Sequence, residues 1–178
     1  MNQVEIELSK KKMVFALIGS LIFIILGIQF IVNPEKFVSP VFRSSEFILI
    51  AGICASLMFS YIAIIISKKL FDKKIGLIIN QNGIVDNTSG MEIGLIEWND
   101  ITAIRIGQVK STKFLLIDTD QPEKYLKKVN SFKARMMKLN TSMYGTPLSI
   151  SSNSLKCNFD ELENAVRMGF EKSKMPNS

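Results

Sequence analysis

Histidine is absent from all 178 residues. That removes the commonest general base and the commonest metal ligand. Cysteine is scarce. Cys54 lies in an apolar run and Cys157 near the C-terminus, an implausible pair for a disulfide, so both are expected as thiols, as in a reducing cytosol. The serine-rich run Ser149–Ser154 has no His or Lys base at a defined spacing and is no hydrolase signature. Asp118, Asp120 and Glu123 have no ligand-spaced partner and read as turn and cap residues, so no metal or other cofactor is expected.

A broad basic surface is missing too. The net charge is +6, but residues 75–178 hold 13 basic and 11 acidic residues, only +2. Nucleic-acid binders carry a domain-wide basic footprint, so no nucleic-acid partner is expected. Most of the excess sits beside two apolar runs.

Those runs are Met13–Val32 and Phe47–Ser67. Each is about the length that crosses a bilayer core of roughly 30 Å. Gln29 is the one strongly polar side chain in the first, and the second holds only Ser, Cys and Tyr as polar groups. Backbone amides in lipid must pair within their own segment, so both are expected as transmembrane helices. Neither run has a polar face, unlike an ordinary core helix. A cleaved signal peptide fits poorly, because Ile31-Val32-Asn33-Pro34 is no small-residue cleavage site. Lys10, Lys11 and Lys12 precede the first run, and Lys68, Lys69, Lys73 and Lys74 follow the second, while the loop 33–46 is neutral. Positive residues favour the cytoplasmic side, which predicts both termini cytoplasmic and the loop outside. Gly52, Ser56 and Ser60 recur every four residues, and Ala16, Gly19, Ser20 and Gly27 offer a matching strip for close helix packing.

Behind the anchor the pattern changes to short alternating runs. Strands are expected at 75–79, 83–86, 91–98, 103–109 and 113–118, with a tight turn at Asn82-Gly83. Five such strands suggest an antiparallel barrel or sandwich. Ile96 and Trp98 share a face and are expected in its core, while Asp100 can cap one helical turn. A helical insert follows at about 121–143, capped by Asp120, with Tyr125, Val129, Phe132, Met136, Leu139 and Met143 spaced as one face and a break allowed at Asn130-Ser131. A late strand at 148–151, a possible short one at 155–157 and a helix at 159–172 capped by Asn158 and Glu161 complete the domain. The organisation predicted is therefore an N-terminus 1–12, spans 13–32 and 47–67 around the loop 33–46, a basic segment 68–74, a domain 75–173 and a tail 174–178.

The run Gly94-Leu-Ile96-Glu-Trp98-Asn-Asp100-Ile101, followed by later strands and a final helix, resembles bacterial pleckstrin-homology-like (PH-like) domains. With two N-terminal spans, the Tyr144–Pro147 turn, Ser152–Leu155 and Phe159–Leu162, the whole chain is similar to a family of small bacterial membrane proteins. The resemblance implies a membrane-anchored α+β fold: a transmembrane hairpin, then an antiparallel PH-like β-barrel with a helical insert and a C-terminal capping helix. It implies the bacterial inner membrane as location. It implies no activity and no functional residue.

One segment stands above fold filler. Pro122–Met143 carries Lys124, Lys127, Lys128, Lys133, Arg135 and Lys138 against Glu123 alone, a charge of +5. A basic amphipathic helix reads as an interfacial or partner-binding element, toward anionic lipid headgroups or an acidic protein partner. Its apolar face can equally close the barrel and leave the lysines solvated. Two functions are compatible with this reading: a non-enzymatic PH-like binding or scaffold module at the inner leaflet, and a membrane-acting effector whose hairpin responds to ligand binding by the barrel. Homo-oligomers are compatible with either.

Overall fold

The computed structural model describes residues 3–42, 44–72, 75–88 and 93–175. The chain forms two compact units, Lys10–Asp72 on the one hand and Met1–Ser9 with Lys73–Ser178 on the other.

The first unit is a hairpin of two long helices, α1 (Lys10–Val32) and α2 (Ser45–Leu70), with a single 3-10 turn at Pro34–Phe37 between them. The Ser44 side chain starts α2 by accepting from the Phe47 amide at 3.3 Å. The helices run antiparallel. Phe23 stacks on Phe59 at 4.4 Å between ring centroids. One turn on, the backbones close in: a Cβ on Gly27 would stand 3.1 Å from the Gly52 carbonyl oxygen, and one on Gly52 only 2.8 Å from that of Gly27. Gly27, Gly52 and Ser56 are thus the part of the small-residue strip that makes the approach, whereas a Cβ on Gly19 would meet nothing. Both helices are long and apolar enough to cross a membrane, and only 11% of each most apolar window is buried. Phe15, Ile25, Leu57 and Ile64 are among the large side chains left exposed. Length, composition and exposure together point to membrane association.

The second unit begins before the hairpin. Residues Val4–Ile6 form a strand, β1, that pairs antiparallel with β2 (Leu77–Asn80) in the register Val4 with Ile79 and Ile6 with Leu77. The segment after β1 is fastened to the same unit: Ser9 donates its amide to the Ser154 carbonyl at 2.7 Å, and Lys156 donates its own to Glu7 at 2.9 Å. The N-terminal segment taken from the sequence as a separate 1–12 piece therefore supplies a strand to the domain. The whole hairpin is an insertion between two neighbouring strands.

From β2 the sheet continues through β3 (Gly83–Asp86) to β4 (Gly94–Glu97), in the order β1-β2-β3-β4. Gly83 makes the β2–β3 turn possible. Its φ of 155° is one that L residues avoid, and a Cβ there would fall 2.0 Å from the Ile96 carbonyl oxygen. The start of the strand expected at 91–98 lies outside the described residues.

After Glu97 the chain makes a 3-10 turn, Trp98–Asp100, and enters a second sheet. That sheet is built from β5 (Ile101–Val109), β6 (Thr112–Thr119) and β7 (Leu148–Ile150), in that order and antiparallel. Leu155 contributes an isolated bridge to Leu8 in place of the short last strand. The expected antiparallel PH-like β-barrel is therefore not what the chain builds. The turn at Trp98–Asp100 interrupts the strand direction, no ladder joins β4 to β5 among the described residues, and neither sheet closes on itself.

The two sheets share one core. Leu77, Ile79, Ile84 and Ile96 from the first meet Ile104, Leu115, Ile117, Leu148 and Ile150 from the second in a single apolar cluster. Helix α5 (Phe159–Lys174) adds Leu162 and Val166 to it, with the Asn158–Glu161 capping box in place. Trp98 lies in this core as expected, and its indole N–H donates to the Asn80 carbonyl at 2.8 Å.

Candidate functional site

The basic insert folds as two helices, α3 (Pro122–Leu126) and α4 (Ser131–Tyr144). Asp120 does not cap the first. Gln121 stands at its N-cap without a side-chain bond, and Pro122 opens it. The break falls at Asn130, whose side chain accepts from the Lys133 amide at 3.0 Å and so starts α4. Gly145 ends α4 with a left-handed φ of 83° and donates its amide to Thr141 at 2.8 Å. Thr146, fully buried, donates its hydroxyl to the Ile117 carbonyl at 2.5 Å. The Tyr144–Pro147 turn is thus a helix stop plus a latch onto β6.

The α3 end of the insert is spent on the fold. The Tyr125 hydroxyl donates to the Asp100 carboxylate at 2.6 Å and accepts from the Glu97 amide at 3.2 Å. Lys124 bridges Asp100 at 2.7 Å and Glu97 at 2.8 Å. Lys128 donates to the Leu95 carbonyl at 3.1 Å and stands 4.9 Å from the centre of the Tyr125 ring. Asp100 therefore does not act as a helix cap. It is the acceptor that ties α3 to the 3-10 turn.

The charges in this cluster are firmly set. Burial pushes the Asp100 carboxyl up, but hydrogen bonds from Lys124 and Tyr125, with the charges of Lys124 and Lys128, outweigh it and leave the carboxyl below its usual range. Hydrogen bonds to Asp100 and then Glu97 hold the Lys124 ammonium well above its ordinary value. Burial, and then donation to Asp100, raises the Tyr125 phenol. Each group keeps its neutral-pH state more tightly than it would in water. A general acid or base needs the opposite, a pKa drawn toward the working pH. The cluster is suited to fastening, not to proton transfer.

The α4 end is different. At 100° per residue the helix presents three arcs. Met137, fully buried, with Ala134, Asn140 and Tyr144 forms the arc toward the domain. Asn140 there donates to Ser149 at 3.3 Å, and the Tyr144 ring meets Phe114 edge-on at 5.3 Å. Arg105 reaches the Tyr144 carbonyl at 2.8 Å while pairing with Asp118 at 2.5 Å. A second arc carries Phe132, Met136, Leu139 and Met143, which are 56, 38, 51 and 69% exposed. A third carries Arg135 and Lys138, both exposed, with Ser131 and Ser142.

The six cations read from the sequence as one contact surface therefore divide. Lys124 and Lys128 are committed to the fold. Lys127, Arg135 and Lys138 are exposed and Lys133 is half-buried; among the described residues these four make no ion pair. The apolar face divides as well: Tyr125 is buried, whereas Phe132, Met136, Leu139 and Met143 point outward. Of the juxtamembrane lysines, Lys68 is exposed and Lys69 is buried and pairs with Asp72 at 3.7 Å. Lys73 and Lys74 lie outside the described residues. No group of His, Cys, Asp and Glu able to hold a metal occurs among the described residues.

A polar hollow of about 570 Å³ opens between the β2–β3 turn and the end of α5, lined by Gln81, Asn82, Glu97, Trp98, Asn99 and Lys172. Its one carboxylate, Glu97, is already engaged by Lys124.

No protein-family model, no curated protein and no solved structure matches the chain. The PH-like binding or scaffold module, and the effector whose hairpin responds to a ligand-binding barrel, both required a barrel. The two separate sheets remove that basis for both.

Proposed function

We propose that this chain is an integral membrane protein in which one α+β domain, on the cytoplasmic side, is interrupted by and anchored through its two spans, and that the domain acts there without catalysis. The observation that carries the reading is the pairing of β1 with β2. β1 precedes α1 and β2 follows α2. Two strands that exchange backbone hydrogen bonds cannot lie on opposite faces of a bilayer. If both helices cross, both ends of the hairpin emerge on one side. The lysines at 10–12 and 68–74, against a neutral loop, support the cytoplasm as that side. The bacterial inner membrane is the setting that the resemblance of the sequence motifs implies. The reading without catalysis rests on the sequence, which has no histidine and no base at a defined spacing from its serine run.

Single cysteines test the arrangement in the full chain expressed in bacteria, with Cys54 and Cys157 changed to Ser. A membrane-impermeant maleimide on intact cells should label Ser39→Cys but neither Gln3→Cys nor Glu171→Cys, which label only after the cells are broken. Labelling of Gln3→Cys and Glu171→Cys from opposite sides would falsify the interrupted domain. Release of the protein by alkaline carbonate would remove the integral anchor.

A further inference from the structure

We infer that α4 is an interfacial helix whose stripe of Phe132, Met136, Leu139 and Met143 enters the headgroup region of an anionic leaflet, held there by Arg135 and Lys138. This rests on the membrane anchoring proposed above and goes beyond it, because it assigns a lipid contact to a particular face of the domain.

Three observations carry it. First, the stripe is continuous and outward. Its members recur at spacings of four, three and four, and all are well exposed on a helix whose opposite arc is fixed to the domain by Met137, Asn140 and Tyr144. The helix cannot roll to bury them without giving up those contacts. Met136, Leu139 and Met143, large apolar side chains exposed on an otherwise packed domain, mark a surface with a partner.

Second, the flank has one sign. The helix Ser131–Tyr144 contains Lys133, Arg135 and Lys138 and no carboxylate. Cations beside an apolar stripe of Phe and Leu are the composition of helices that lie in a membrane interface, their apolar face sunk about 5–10 Å. A second copy of the chain is a poor occupant. A two-fold contact through the stripe would bring identical basic flanks together, and like charges oppose it. Third, the same chain carries two helices long and apolar enough to cross a membrane, and with the anchoring proposed above a lipid surface is always at high effective concentration. A headgroup phosphate is the complementary partner that Arg135 and Lys138 need.

The test uses the full chain in lipid nanodiscs and a tryptophan placed on the stripe, Leu139→Trp, with Met143→Trp as a second variant. Trp98 is buried and gives a constant background. Ile22→Trp, on an exposed position of α1, reports the anchor itself. In discs containing phosphatidylglycerol, the Leu139→Trp emission should shift to the blue and be quenched by nitroxide lipids. Both effects should fade in phosphatidylcholine discs, and at about 1 M salt, where the Debye length is about 3 Å. Changing Arg135 and Lys138 to Gln should lower the equilibrium constant for docking by about twenty-five-fold, since each cation near an anionic leaflet is worth about fivefold. If Ile22→Trp is quenched and neither stripe tryptophan is in any disc, the lipid contact is wrong. If Ile22→Trp is itself not quenched, the anchoring reading fails and this inference falls with it.

Discussion

Ile6 and Leu77 face each other in adjacent antiparallel strands, although both long apolar helices lie between them in the chain. Consecutive strands of a sheet usually follow one another closely, and here the connection is an entire hairpin of two long apolar helices. The domain is not complete until the chain has returned from α2.

This pairing predicts a crosslink. Glu5 and Ile78 stand opposite each other on the same two strands, outside the core. Directly paired residues bring their Cβ atoms to about 4.5–5.5 Å, near what a disulfide accepts. With Cys54 and Cys157 replaced, Glu5→Cys with Ile78→Cys should form an intramolecular disulfide on mild oxidation, seen as a mobility shift that reductant reverses. Glu5→Cys with Glu171→Cys should not. Failure of the first pair to close would place the N-terminus outside the sheet.

How the sequence shows some of these features and hides others has physical reasons. The two long helices α1 and α2 are visible because their uncharged apolar runs extend well past the length of an ordinary core helix. Helix α5 is visible because Asn158 and Glu161 carry a reciprocal cap in four letters. Strand β1 is invisible: three residues are too few to establish alternation, and its partner lies beyond the hairpin. The division into two sheets is hidden because Glu97–Ile101 reads as a strand passing through a bend, and only pairing shows that the ladder stops at the Trp98–Asp100 turn. The α4 stripe was legible as a periodicity and misleading as a burial pattern. The cap at Asn130 restarts the helix in a new phase, so Met137 turns inward while Phe132, Met136, Leu139 and Met143, spaced as if for the core, turn out. The Asp100–Tyr125 bond joins residues 25 positions apart and left no local signal.

That bond predicts sensitivity to acid. The Asp100 carboxyl lies below its unfolded value in the folded state. A group of this kind binds fewer protons folded than unfolded, so its contribution is present above the unfolded pKa of about 3.9 and is lost as pH falls through it toward the folded value. Asp100→Asn should cost about 1–3 kcal/mol at neutral pH, because Tyr125 and Lys124 lose a charged acceptor. The gap in melting temperature between wild type and variant should then narrow below about pH 4. A gap that stayed constant from neutral to acid would mean that the carboxylate charge contributes nothing.

Gly169 offers a test of the packing of α5 in which the expected sign is unusual. On an open helix Gly→Ala stabilises by about 1 kcal/mol. Here a Cβ would fall 2.7 Å from Ile79 Cγ2 and 2.9 Å from Trp98 Cζ2, both in the core. Overpacking of this sort costs about 1–3 kcal/mol, so Gly169→Ala should lower the melting temperature. Trp98→Ala, which empties the other side of the same contact, should cost about 3–5 kcal/mol. A Gly169→Ala protein more stable than wild type would show that α5 does not seat against Ile79 and Trp98.

The cations of the insert should separate into two classes under alanine substitution, and stability distinguishes them without reference to any lipid or partner. Lys124 bridges two carboxylates, and Lys128 holds the Leu95 carbonyl beside the Tyr125 ring. Lys124→Ala leaves Asp100, turned inward, with the tyrosine hydroxyl as its remaining partner from α3. Lys127, Arg135 and Lys138 stand on exposed positions with no ion pair among the described residues, where substitutions shift stability by no more than about 0.5 kcal/mol. Thermal melts of the full chain in one detergent should therefore rank Lys124→Ala as the most destabilised, Lys128→Ala next, and Lys127→Ala, Arg135→Ala and Lys138→Ala indistinguishable from wild type. Equal losses across all five would mean that the insert is held to the domain by diffuse charge, and that Arg135 and Lys138 are as much a part of the fold as Lys124.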